Sequence, residues 1–148
     1  MIRTGYSFRT AVGHLPEVAT RLKEVGWDTF PIADRLSTFG YVRATKVAKA
    51  HGLRPIYGVE LPVIPLKALE APKLVAIDWW TFLAKDDLRP LHDLIAWATR
   101  LRDIKHPLLF YKEAIAASGV IKITGNSTII SEIPPGDHES LYLSLIHI

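Results

Sequence analysis

The sequence predicts an α/β protein with a parallel arrangement of strands, and three observations lead there. Segments rich in β-branched and aromatic residues alternate with segments of helical periodicity along most of the 148 residues. The helical segments are bounded by residues that start or stop helices. Two acids, Asp34 and Glu60, fall on successive strands. Acids at the strand ends of a β-α-β-α-β run converge on one rim, where parallel sheets and barrels place their chemistry.

Taken in order, Ile2–Phe8 reads as a strand carrying the Tyr6-Ser7 pair. A first helix is expected over Leu15–Val25, with Pro16 in its first turn, Glu17 complementing the N-terminal dipole and Gly26 as the stop. Val18, Ala19, Leu22 and Val25 share one face of it. Thr29–Ala33 is a short strand leading into Asp34. The next helix, Phe39–His51, buries Ala44, Val47 and Ala48, leaves Arg43, Lys46 and Lys49 in water, and stops at Gly52. Pro55–Ile64 is a strand containing Gly58-Val59-Glu60, and Leu74–Ala84 is its hairpin-like companion across the Leu66–Pro72 connection. Leu88–Leu101 makes the longest helix, with Leu91, Leu94, Ile95, Ala98 and Leu101 on one side. A short helix at Lys112–Ala117 and a strand at Gly119–Thr124 follow, and Pro134-Pro135-Gly136 marks a turn.

Bulk composition narrows the class. One domain is natural for this length, and the chain can bury a real core. Hydrophobic content of 49% with 22% charged residues is that of a soluble globular protein. The net charge of +3 permits loose attraction to nucleic acid without requiring it. Without cysteine there are no disulfides or thiolate metal sites, which fits a reducing cytoplasm. No apolar run reaches the roughly 18–20 residues of a spanning helix, and MIRTGYSF lacks the layout of a signal peptide. A cytoplasmic location without membrane attachment is the expectation.

The ordered set RTGYSF, PIADRLSTFGYVRATKVAKAHGLRPIYGVEL, WWTFLAKDDLRPLHDLIAWAT and SGVIKITGN resembles the PHP domain at the N-terminus of the bacterial-type DNA polymerase III alpha subunit. The likeness covers about Ile2–Asn126 and rests on the order of several individually weak motifs. It implies a distorted (β/α)7 barrel, of which this chain would hold the first part. The final residues, Leu143–Ile148, match one reading frame of a sequencing-library adapter; the plainer reading is a genuine hydrophobic end. The expectation is a PHP-like domain over residues 1–142, incomplete at its C-terminal end, with 143–148 foreign to it.

In active members of that family a cluster of His, Asp and Glu holds two or three metal ions for phosphoester hydrolysis. Such ions clamp a phosphoryl oxygen, acidify a bound water and stabilise the leaving oxygen. Aligned on Tyr6-Ser7, the opening His-x-His pair falls on Met1 and Arg3 here. A thioether is a poor ligand for a hard ion, and a guanidinium is permanently cationic. The Thr-Asp-His-Gly motif becomes Ala33-Asp34-Arg35-Leu36, and a later histidine falls near Trp79. Gly-x-Glu is intact with Glu60. Four ligand positions are thus lost, while Asp34 and Glu60 remain. Arg3 and Arg35 are expected to neutralise those acids where metals once did. The alternative is that Asp34 and Glu60 still hold one ion.

The remaining candidates are weaker. His14, His51, His92, His106, His138 and His147 are scattered, with no His-x-His and no pair four apart on a helix. They read as surface or capping residues. Ser7 lacks the Gly-x-Ser-x-Gly surroundings of a nucleophile. Trp79 and Trp80 point to opposite sides of a strand, which argues against a base-stacking platform.

The resemblance therefore implies a PHP-like domain of a replicative DNA polymerase with a degraded metal site. Its role would be structural, or docking of a proofreading exonuclease subunit. Its partners would be the rest of the polymerase chain and, through it, DNA. No cofactor is expected within these residues; magnesium would belong to the polymerase domain downstream. The alternatives are a metal-dependent PHP phosphoesterase or proofreading exonuclease, and an unrelated α/β domain that binds a protein.

Overall fold

The computed structural model describes residues 1–5, 14–64, 78–100 and 109–124. They form a mixed α/β fold about a sheet, divided into two compact units, Met1–Val59 and Glu60–Ile148.

In the first unit Ile2 forms a parallel bridge with Ile32 of strand β1 (Thr29–Arg35). The Ile2 amide donates to the Pro31 carbonyl, and the Ala33 amide donates to the Ile2 carbonyl, both at 2.9 Å. Helix α1 (Leu15–Glu24) and helix α2 (Tyr41–Ala50) pack on each other and on β1. Phe30, Ile32, Ala33 and Asp34 are all buried, the near-continuous burial of a strand covered on both faces. Ala19, Ala44 and Ala48 pack beneath the helices. Val25 departs from the expected apolar face of α1: it lies past the helix end and is 55% exposed. Strand β2 (Arg54–Ile64) opens with the Arg54 amide donating to the Asp28 carbonyl at 2.8 Å.

In the second unit the far part of β2 pairs in parallel with β4 (Leu109–Phe110), matching Val63 with Leu109 and Ile64 with Phe110. Strand β3 (Asp78–Ala84) neighbours β2 and pairs antiparallel with β5 (Val120–Thr124). The sheet is thus mixed, where the alternation of strands and helices had suggested parallel strands. The reason lies in the connection: α4 (Tyr111–Ala116) follows the two-residue β4 directly and packs on it, and the chain then returns against β3. A two-residue strand gives too short a pattern to read from sequence. Helix α3 (Arg89–Thr99) buries Leu91, Leu94 and Ala98 against β3 and β4. Trp80 is fully buried, with Tyr111 edge-on at 5.8 Å, whereas Trp79 beside it is half-buried, the alternation expected of a strand.

No described helix is long and apolar enough to cross a membrane. Tyr6–Phe8, Leu74–Ile77, Leu101, the Pro134-Pro135-Gly136 turn and Leu143–Ile148 lie outside the described residues.

Candidate functional site

The parallel bridge fixes a register that matters for chemistry. Ile2 opposite Ile32 brings Thr4, two residues on, beside Asp34. The Thr4 amide donates to Asp34 Oδ1 at 2.6 Å, and the Thr4 hydroxyl donates to Asp34 Oδ2 at 2.6 Å. Both residues are buried, Asp34 completely. A buried carboxylate without donors is costly, and these two bonds offset that cost at both oxygens.

Gly40 closes the other side. It is buried at the start of α2, and a Cβ placed on it would collide with Thr4 Oγ1 and Asp34 Oδ2. The carboxylate therefore rests against the first turn of α2, which has no acid of its own. Unpaired N–H dipoles at a helix start favour a negative charge there.

The next residue of α2 extends the polar layer. Tyr41 Oη donates to the Gly58 carbonyl at 2.7 Å, and its ring lies 5.0 Å from that of Tyr57. Burial, then the Asp34 carboxylate and then Tyr57 push the Tyr41 phenol far above its ordinary value of 10.0. It stays protonated and acts as a donor. The Tyr57 and Thr45 hydroxyls share a 2.8 Å bond, and Thr45 Oγ1 donates to the Tyr41 carbonyl at 2.6 Å.

Between Asp34 and Gly40 the chain makes a strained turn. Leu36 has φ 58°, a left-handed conformation that costs a branched side chain energy. By the resemblance, Leu36 stands where the Thr-Asp-His-Gly motif has its glycine. The backbone keeps the shape that glycine suits, although the side chain has changed. The Ser37 hydroxyl beside it is buried without a hydrogen-bond partner among the described residues.

Of the residues singled out by sequence, Asp34 and the half-buried Arg3 and Arg35 belong to the first unit; Met1 there is exposed. Glu60 opens the second unit and is 5% exposed; Trp79 lies on β3 of the same unit. Among the described residues no three His, Asp or Glu side chains gather as a metal cluster. Two or three ions need several such ligands each. The described residues therefore do not fit a multinuclear centre. His14 precedes α1 without capping it through its side chain, His92 is exposed, and His51 Nδ1 donates to the Val47 carbonyl at 2.8 Å. Ser7, His106, His138 and His147 lie outside the described residues.

Sequence reasoning missed Thr4, Gly40 and Tyr41. The available signal was the strand pairing: once Ile2–Phe8 is set parallel to Thr29–Ala33, a hydroxyl residue falls opposite the acid.

Comparison with known proteins gives one family and a structural likeness. The family model described as the PHP domain matches residues 2–129. A Bifidobacterium adolescentis protein of solved structure, described as a metal-dependent phosphoesterase, is similar with a TM-score of 0.46 and 17% identity. The match covers 78% of this chain and 41% of that one, so the chain spans about two fifths of its length. No curated protein matches the sequence.

Proposed function

The chain belongs to the PHP-domain family, and on that premise we propose that it serves a replicative DNA polymerase of the polymerase III alpha type as a structural domain. Its metal site has been taken apart. Its contacts are with the rest of the polymerase chain and a proofreading exonuclease subunit, and it meets DNA through the polymerase. Residues 1–142 are the PHP-like portion.

The observation that carries this reading is the bonding of Asp34. A carboxylate has about four acceptor positions. In Asp34 both oxygens accept bonds from Thr4, and Gly40 walls one of them. An acid held this way serves the fold. Arg3 and Arg35 stand, by the resemblance, where ligands would be, and a cation there opposes metal entry.

The test is hydrolysis of a phosphodiester, bis(p-nitrophenyl) phosphate, and of single-stranded DNA by the purified chain with added manganese or zinc. No turnover above the metal blank is expected. Turnover that disappears in Asp34→Ala or Glu60→Ala would instead establish a metal-dependent phosphoesterase. The polymerase assignment is tested separately at the genomic locus. Its reading frame should continue into palm-domain carboxylates, and a locus without them refutes that part.

A further inference from the structure

The second unit contains a small groove unrelated to Asp34. Pro90, Asp93, Leu94 and Trp97 of α3 form one wall, and Ala116, Ala117 and Ser118 form the other, around about 100 Å³. The helical residues fall at i, i+3, i+4 and i+7, a single face. Gly119, at φ 72°, sets the spacing of the walls: a Cβ on it would lie 2.9 Å from Pro90 Cγ.

Three chemical features converge there. Trp97 is half-buried and contributes an indole surface. Asp93, one turn before it, is exposed and has no ionic or hydrogen-bonding partner among the described residues. Arg89, the nearest cation on the same helix, is taken by Asp87. Ser118 adds a hydroxyl from the opposite wall. An indole attracts a cation to its face, and a guanidinium stacks flat on it while its edge donates to a carboxylate. Ammonium satisfies the charge but not the stacking. Size decides the source: pockets for small molecules span roughly 300–1,000 Å³. This groove holds a side-chain head and no more.

We propose that the groove formed by Asp93, Trp97 and Ser118 receives an arginine side chain of a partner polypeptide. The guanidinium lies on Trp97, its edge donates to Asp93, and Ser118 accepts a further bond. This assignment is independent of the role proposed for the Asp34 region.

The probe is N-acetyl-arginine amide, titrated into the isotope-labelled full chain while the Trp97 indole N–H and the Asp93 amide are followed by NMR. Saturable shifts are expected, with a dissociation constant on the order of 1 mM, as suits a ligand of this size. Asp93→Asn, an exposed change that leaves spectral dispersion intact, should weaken binding about tenfold. Trp97→Leu should weaken it further, and Ser118→Ala less. The matching citrulline amide, similar in shape but uncharged, should leave the resonances in place. Shifts with citrulline equal to those with arginine would overturn the proposal, as would unchanged affinity in Asp93→Asn or absence of saturation. N-acetyl-lysine amide binding as tightly would refute the guanidinium assignment, and free arginine binding more tightly would refute the polypeptide source.

Discussion

Thr4 holds both oxygens of Asp34, its amide on Oδ1 and its hydroxyl on Oδ2, each at 2.6 Å. One residue thus ties the N-terminal segment, bridged to β1 at Ile2, to that strand through a buried charge, at the position where the family resemblance leads one to look for a metal ligand. The coupling should be measurable. In a double-mutant cycle of Thr4→Val and Asp34→Asn, followed by urea denaturation, the interaction energy should be about 1.5–3 kcal/mol, the range for hydrogen bonds to charged groups. Additive effects would show that the Thr4 hydroxyl contributes nothing to holding the charge, since the amide bond to Oδ1 is present throughout the cycle.

Gly40→Ala should destabilise the first unit. The backbone there, φ -73° and ψ -15°, is one alanine adopts readily, and alanine favours helices. The collision with Thr4 and Asp34 opposes this and wins, at about 1–3 kcal/mol for an overpacked site. Thermal denaturation reads the loss; a variant as stable as the parent would mean that the turn relaxes freely.

Leu36→Gly should act in the opposite direction. Left-handed backbone costs an L-residue about 1–2 kcal/mol, and the greater freedom of glycine in the unfolded chain returns about 0.5–1 kcal/mol. The difference is about 0–1.5 kcal/mol before the packing of the half-buried side chain is subtracted. The gain over the parent is therefore small, and the clearer expectation is that Leu36→Gly exceeds Leu36→Ala in stability. Leu36→Ala keeps the strain and loses the packing of a half-buried side chain, so it should be less stable than the parent. Equal stability of the two variants would remove φ as the cause.

The order and type of elements were legible because helices of ten or eleven residues repeat their apolar positions often enough to be recognised. Strand β4 was not, being two residues long. The antiparallel return of β5 against β3 was also hidden, since pairing direction leaves no periodic trace. Asp34 was visible as a lone acid on an apolar strand. Its partner was not: Thr4 lies 30 residues away, and only the register of Ile2 on Ile32 brings the two together. Lys122 is buried on β5 with Nζ donating to the Ile115 carbonyl at 2.5 Å.

Asp78 should make stability depend on pH. It accepts bonds from the Trp79 amide at 3.0 Å and from Trp80 Nε1 at 3.1 Å, but burial outweighs them and raises its pKa above 3.8. A raised folded-state value means the native protein binds the proton more tightly. Its contribution is fully present below 3.8 and is lost as pH rises through the folded value. Asp78→Asn keeps an acceptor for Trp80 and removes the charge. Its denaturation midpoint should therefore gain on the parent as pH rises from the ordinary carboxylate range toward neutrality. Exposed Asp87 has the opposite sign: the Arg89 amide and guanidinium lower its pKa, so its contribution fades on acidification. A constant offset between Asp78→Asn and parent across that range would contradict the assignment.

On the function proposed above, Asp34 serves the fold and not a metal ion. Calorimetric titration of the metal-stripped chain with manganese and zinc, beside its Asp34→Asn variant, tests this most directly. No stoichiometric binding to either protein is expected, together with a lower unfolding free energy for the variant. Stoichiometric binding to the parent that vanishes in Asp34→Asn would contradict it, because the carboxylate held by Thr4 would then be a working ligand.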